Sequence, residues 1–208
     1  MRPNLGNPRA LRIIAVAQEE FARRGFHGAR VDQIARRAGV NKQLVFYYFH
    51  SKRGLFNAVL GRSGAELEAA LDHLPAARGG GPLERLRATL AAHFDVLAAR
   101  PDLVALVAQA GRSETRPFRP MIKRLVVLLA EGQGRGEVRD DVDPHLAAAQ
   151  AVVLMAAFLA LAPLIAASAP PLAADEPALL GRWKDAAVRL VVDGVAAHGA
   201  AGRGAATS

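Results

Sequence analysis

Apolar residues recur along this chain at spacings of three and four, the period of a helix face, and no stretch sustains the alternation of a half-buried strand. Leu11, Ile14, Ala17 and Phe21 stripe one side of a first helix, which Gly25 is expected to end. Val31, Ile34, Ala35 and Ala38 follow at i, i+3, i+4 and i+7, and Gly39 stops the run. This second helix has barely two turns, too few to be stable alone, so it must pack on neighbours. Asn41 is placed to cap a third short helix, and Ser51 a fourth that runs toward His73. After a break at RGGGP, residues 78 to 82, longer helices are expected at about 82 to 99, 101 to 111, 117 to 132, 143 to 167 and 175 to 197. On the last of these, Leu180, Trp183, Ala187, Leu190, Val191 and Gly194 form a long stripe. There is no fixed-period repeat. The fold class is all-α, with one domain over residues 1 to 60, a second over 61 to 198, and a tail, 199 to 208, expected to be disordered.

Charge divides the chain at the same place. The formal net charge is +8; residues 1 to 60 hold 11 Lys or Arg against 3 Asp or Glu, and the remainder holds 16 of each. The whole excess sits in the first domain, which points to a polyanionic partner met by that domain alone. With no cysteine, disulfides, thiolate nucleophiles and zinc-thiolate sites are excluded. The opening MRPNLGNPR has no apolar run of the signal-peptide kind, and the expected location is the cytoplasm. Leu146 to Ala174 carries no charge and is long enough to cross a bilayer, but it is alanine-rich, contains Gln150 and Pro163, and is flanked by acidic residues on both sides. A helix buried against other protein, with no membrane partner, is the better account.

Aromatics are only 5% of the chain, yet Phe46, Tyr47, Tyr48 and Phe49 are consecutive, between Lys42-Gln43 and Lys52-Arg53. A solvated helix would not carry four adjacent rings, and a core helix would not place Lys42 and Gln43 one turn ahead of them. Two short helices joined by a tight glycine turn, the second opening on polar residues, form the pattern of a helix-turn-helix, whose second helix enters the major groove. Lys42 can donate to guanine O6 or N7, Gln43 can pair with adenine, and tyrosine hydroxyls can reach phosphates or base edges. Leu44 can meet a thymine methyl and Arg30 a phosphate. Val45 and Phe49, one turn apart, can face inward onto Ile34 and Phe21. Lys52 and Arg53 oppose the dipole of the fourth helix by about 0.3 to 1 kcal/mol each, an arrangement that a phosphate at that helix start would reverse.

The segment AVAQEEFARRGFHGARVDQIARRAGVNKQLVFYYFHSKRGLF resembles the N-terminal DNA-binding domain of the tetracycline-repressor (TetR) family in its Phe21 and Gly25-Phe26 pattern, Ile34-Ala35, Ala38-Gly39-Val40, Tyr48-Phe49, Ser51-Lys52 and Leu55. GRGEVRDDVDPHLAA, residues 134 to 148, resembles a linker common before the eighth helix of that family. The resemblance implies an all-helical homodimer on a near-palindromic double-stranded operator, with a ligand pocket in each C-terminal domain and the last two helices forming the interface. By position, Lys42, Gln43, Phe46, Tyr47 and Tyr48 fall where family members touch bases and backbone, and Lys52 where they hold a phosphate. Phe46 stands where tyrosine is usual, Leu44 where threonine is common, and Ala29-Arg30 where hydroxyl residues usually open the second helix, so base preference does not transfer.

For a small hydrophobic effector, His93, Phe94, Leu97, Gln109, Phe118, Met121, Ile122, Met155 and Phe158 are the expected contacts, an apolar wall with a few polar groups. A core role is the competing account for each of them, His93 included. Val153, Ala157, Leu161, Leu180, Trp183, Ala187, Leu190 and Val191 are the expected dimer contacts. GQGRGEV, residues 132 to 138, lacks the Gly-Lys-Ser/Thr ending of a phosphate loop and reads as an interhelical connection. Asp140, Asp141, Asp143 and His145 could ligate a metal, but Asp143 before Pro144 is more simply a helix cap, so neither metal nor cofactor is expected. No nucleophile, base and orienting acid stand in a recognisable arrangement, and an enzyme is not expected. A ligand-responsive regulator, most simply a repressor, is the leading expectation; a sequence-tolerant architectural DNA binder shares the charge asymmetry and is the alternative.

Overall fold

The computed structural model describes residues 6–72, 80–110, 118–168 and 176–197. Among them lie α1 (Pro8–Gly28), α2 (Val31–Arg37), α3 (Lys42–Phe49), α4 (Lys52–Asp72), α5 (Pro82–Ala98), α6 (Pro101–Ala108), α7 (Arg119–Gly134), α8 (Pro144–Ser168) and α9 (Glu176–Val195). The fold is all-α; apart from turns, the described residues add only an isolated bridge between Val138 and Ala196. The expected tail, 199 to 208, and the first part of the RGGGP break lie outside the described residues. The chain divides into two compact units, Met1–Leu67 with Arg100–Pro117, and Glu68–Ala99 with Phe118–Ser208.

In the first unit, Asn7 opens α1 by accepting from Arg9 N at 2.9 Å, with Pro8 supplying the fixed φ of a first helical turn. The inward stripe runs through Ala10, Ile13, Ile14, Ala17 and Phe21, while Leu11, expected inside, is 37% exposed. The true stripe starts on an alanine, whose small apolar side chain is a weaker signal than the leucine beside it. Phe21 meets Phe56 of α4 edge to face at 5.0 Å between centroids, and Phe26 meets the same ring at 5.2 Å. Gly25 kinks α1 rather than closing it: its φ is 71° and one further turn reaches Gly28. The kink takes the Phe26 N–H out of the helical ladder, and the Gln109 side chain at the end of α6 accepts from it at 2.8 Å. The same amide donates to Ala105 O at 2.9 Å, so both its ends are engaged.

Two polar clusters tie these helices together. Glu20 of α1 is fully buried and faces Arg23 Nη2 at 3.1 Å, Arg24 Nε at 3.1 Å and Arg37 Nη1 of α2 at 3.5 Å, while Arg37 also pairs with Glu19. The arginines reach solvent, so the one enclosed charge is neutralised without burying its partners. In the second cluster Gln18 of α1 donates to Asp102 of α6 at 2.6 Å, and Arg100 bridges Asp102 and Glu66 of α4, each at 3.3 Å. Partial burial works against the Asp102 carboxylate, but the hydrogen bonds from Gln18 and Arg100 and the Arg100 charge outweigh it and hold its pKa below the ordinary value.

In the second unit, α5, α7, α8 and α9 pack around Leu86, Leu90, Phe94, Leu97, Leu125, Met155 and Phe158. The GQGRGEV connection does structural work. Gly132 lets Val138 approach so closely that a Cβ at residue 132 would lie 2.5 Å from Val138 Cγ2. The Glu137 carboxylate accepts from Leu83 N at 3.2 Å at the start of α5, and its carbonyl accepts from Ala197 N at 2.8 Å after α9. Asp143 caps α8 as expected, accepting from His145 N at 2.8 Å and Leu146 N at 3.2 Å, and these bonds lower its pKa.

One correction concerns α9. Its expected single stripe divides: Ala187 is buried with Leu179, Val188, Val192 and Val195, whereas Leu190 is 68% exposed. Trp183 stacks on Phe158 of α8 at 3.9 Å and 8°. Ala187 is thus enclosed and half-buried Trp183 is engaged with Phe158, so an aspartate at residue 183 would damage this packing whatever the oligomeric state.

Candidate nucleic-acid interface

α2 starts without a side-chain cap, since Arg30 stands in the N-cap position, but Asp32 in its first turn complements the helix dipole. Ala38 and Gly39 make the turn, and Gly39 takes φ 63°, a left-handed backbone that a side chain would strain. Asn41 then caps α3, accepting from Leu44 N at 2.8 Å. Val45 and Phe49 are buried with Ile34, Ala35 and Ala38 in one core with Phe21 and Phe56, as their spacing predicts.

That anchoring turns a defined face outward. Lys42, Gln43, Phe46 and Tyr47 are exposed, Tyr47 by 62%, while Leu44 and Tyr48 are half-buried. Tyr48 packs partly into the core and lies edge to face with Tyr47 at 5.3 Å. The aromatic string is thus divided by the helical period: Val45 and Phe49 hold, Phe46 and Tyr47 face out, and Tyr48 does some of each. Lys42 Nζ sits 2.9 Å from Asp32 Oδ1 and 5.9 Å from the centre of the Phe46 ring. Both partners of this ion pair are more than half exposed, so it stabilises by no more than about 0.2 to 1 kcal/mol, little enough for a base edge to compete for the ammonium.

The step from α3 to α4 is equally constrained. His50 carries a positive φ of 62°, one of the few non-glycine types that tolerate it, and Ser51 N donates to Phe49 O at 2.7 Å. Ser51 Oγ caps α4 by accepting from Gly54 N at 2.9 Å. Gly54 cannot be replaced without movement, since a Cβ there would stand 2.0 Å from Phe49 O. Beside this cap Lys52 Nζ donates to His27 O at 3.1 Å and lies 5.1 Å from the Phe26 ring centre, with the Arg53 guanidinium at 4.3 Å from the same ring. Such contacts stabilise by about 0.5 to 1 kcal/mol each, the same size as the opposing dipole term, so two cations are held at this helix start with little net cost. Arg30 is exposed, ahead of α2. Sequence reasoning did not anticipate Asp32 as the partner of Lys42, nor Phe26 as the platform under Lys52 and Arg53; an acidic residue one helix earlier and the Gly-Phe pair were the available signals.

The family model described as bacterial regulatory proteins, tetR family, matches residues 13–59, which hold all of α2 and α3. The HTH-type transcriptional repressor SCO4008 of Streptomyces coelicolor is 33% identical over 138 residues, covering 63% of this chain and 68% of that protein. The chain belongs to the TetR family of transcriptional regulators. Among solved structures, SCO4942 of Streptomyces coelicolor, a transcriptional regulator, superposes with a TM-score of 0.67 at 32% identity, over 86% of this chain and 96% of that one. FadR of Bacillus subtilis, solved with stearoyl-CoA, shares the fold with a TM-score of 0.71 at 19% identity, over 89% of this chain and 98% of that one. In this TetR-family chain α2 and α3 are the helix-turn-helix.

The residues expected to touch an effector fall in different places. Gln109 belongs to the first unit, its amide spent on Phe26 and Ala105. The others lie in the second unit: Phe94, Leu97, Met121, Met155 and Phe158 are buried, and Phe118 and Ile122 are half-buried. Phe94, Phe158 and Trp183 form a stacked column with centroid spacings of 6.3 and 3.9 Å. His93 is fully buried beside Phe118, and neither ring nitrogen has a hydrogen-bond partner among the described residues. Burial away from water pushes its pKa down to about 4. The residues expected at the dimer contact also separate: Val153, Leu161 and Leu190 are exposed, Ala157, Leu180, Trp183 and Val191 half-buried, with Trp183 stacked on Phe158, and Ala187 is buried. α8 is apolar enough, over Pro144–Ala162, to cross a membrane by length and composition, but it packs on α5, α7 and α9. Among the described residues no group of three or more His, Asp or Glu is placed to hold a metal.

Two outcomes follow from these placements. Lys52→Ala is expected to weaken binding to specific and random duplex alike and to reduce the slope of log K against log salt by about one unit per subunit; an unchanged slope in a salt titration removes Lys52 from the phosphate contacts. Because His93 is neutral when folded but takes a proton in the unfolded chain near its ordinary pKa, its contribution is complete above about pH 6.5 and is lost as pH falls toward 4. Denaturant unfolding should show the wild type losing about 2 kcal/mol more than His93→Gln between about pH 7.5 and pH 5.

Proposed function

We propose that this regulator is a repressor that binds a near-palindromic operator as a homodimer in the cytoplasm and is released by a small hydrophobic effector. The observation that carries the DNA reading is the outward face of α3, where Lys42, Gln43, Phe46 and Tyr47 project from a helix pinned by Val45 and Phe49, in the part of the chain that holds the whole positive excess. Lys42 and Gln43 supply donors and an acceptor for base edges, and Leu44 and Phe46 supply apolar contact for thymine methyls. Tyr47, Tyr48, Arg30 and Lys52 serve the backbone. The first unit reads DNA, and the second takes up the effector and the partner protomer.

A groove of about 840 Å³ between α8 and α9 supports the dimer. It is lined by Leu146, Val153, Leu154, Ala157, Leu190 and Val191 among others, and leaves Val153 63% and Leu190 68% exposed in one chain. A soluble protein does not leave a row of large apolar side chains in water without a partner surface. The aromatic column of Phe94, Phe158 and Trp183 supports an apolar effector, as does the use of the same fold by FadR, solved with stearoyl-CoA. An effector that binds better to the state with the wrong spacing of recognition helices lowers DNA affinity by the factor by which DNA lowers effector affinity.

Selection of bound sequences from a randomised pool, followed by competition at about 150 mM salt, tests the reading. A near-palindromic winner preferred over random duplex by roughly 10³ or more is the expected result. Tight, salt-sensitive binding without enrichment would replace it with an architectural role. Leu190→Asp is expected to halve the molar mass seen by light scattering while leaving the helical content intact, and an unchanged mass would move the interface elsewhere.

A further inference from the structure

The second unit encloses a polar group that has no hydrogen-bond partner among the described residues. His93 is 0% exposed on α5, and both ring nitrogens lack a hydrogen bond among the described residues. Phe118 lies edge-on to it at 6.3 Å, with Met121 one helical turn after Phe118; the next residue of α5, Phe94, stacks on Phe158, with Met155 one turn before that ring. The Nε1 of Trp183, stacked against Phe158, is likewise buried without a partner. A core selected only for packing would place an apolar residue of similar size at 93, since an unmet imidazole is costly in a dry interior. The two buried methionines suit a site that opens for a guest and closes without one, because an unbranched thioether repacks readily.

We propose that His93 is the polar anchor of the effector site, and that the effector is an uncharged, mainly apolar molecule with an oxygen function, hydroxyl or carbonyl, that hydrogen-bonds the imidazole. The neutral ring offers one donor and one acceptor, enough for an alcohol or ketone oxygen, whereas a carboxylate or ammonium would give up its hydration for a single neutral hydrogen bond. At the surface of these helices Lys184 of α9 lies 2.9 Å from Asp95 of α5. The apolar body of the effector lies among Phe118, Met121, Met155 and Phe158. This inference rests on the effector reading above and narrows it to a chemical class.

Trp183 is the only tryptophan in the chain and stacks on Phe158, so its fluorescence reports on this site without DNA. The full chain is titrated with decan-1-ol, 2-decanone, decanoate and decylammonium at constant pH, and operator affinity is measured on the same samples. The alcohol and ketone are expected to give a saturable change and to bind at least about tenfold more tightly than either ion. His93→Leu is expected to weaken them by about tenfold or more, and His93→Gln, which keeps a donor and an acceptor, by less than about threefold. Equal binding of the ions, unchanged affinity in His93→Leu, or no saturable change with any probe overturns the proposal; unchanged affinity is also what a resident water serving His93 would produce. Should His93→Leu fail to fold, the contrast between neutral and ionic probes in the wild type still decides. Loss of sequence preference in the probe-free samples overturns the regulator reading separately. Probes that bind without changing operator affinity overturn the effector role.

Discussion

The interface depends on one constraint, the burial of Val45 and Phe49 against Ile34, Ala35 and the rings of Phe21 and Phe56. α3 has eight residues, too few to hold helical shape alone, so its structure is borrowed from the core it packs on. The helical period then leaves no freedom: once residues 45 and 49 point in, 42, 43, 46 and 47 must point out. The outward chemistry and the fold stability are therefore written in the same eight residues, and a change on the inner face would disturb the outer one without touching it.

Charge is handled by the same economy. The first 60 residues carry an excess of eight positive charges, which repel one another in the free protein. The structure answers with local measures rather than burial. Glu20 gathers three arginines, Asp32 holds Lys42, and the Phe26 ring supports Lys52 and Arg53. Apart from Glu20, each of these involves exposed or half-exposed groups and is weak, which leaves the cations available to phosphates. A stronger intramolecular pairing would stabilise the free protein at the expense of DNA affinity.

Much of this was legible in the sequence because its causes are local. The caps at Asn41, Ser51 and Asp143, the Gly39 turn and the inward role of Val45 and Phe49 are set by residues within a turn of one another. What escaped depends on partners distant in the chain. Leu11 looks like core until Ala10 is seen to carry the stripe, and along the apparent stripe of Leu190 Ala187 is buried and Trp183 stacks on Phe158 of α8. Gln109 reads as an effector contact, yet its amide answers a backbone N–H freed by a kink 83 residues earlier. Periodicity gives the angle of a side chain about its own helix and is silent on which neighbour waits there.

The same limit explains why His93 was ambiguous in the sequence and is less so in the fold. A histidine on an apolar helix face is usually satisfied by a carbonyl or a carboxylate from another element, and sequence cannot show whether one arrives. Here none does among the described residues, while Gln109, the other polar side chain expected at an effector, is engaged elsewhere at both ends of its amide. Two polar residues equivalent in pattern thus separate on a physical criterion. One has its hydrogen bonds met by the chain and acts in the fold, and the other keeps a donor and an acceptor that nothing among the described residues uses.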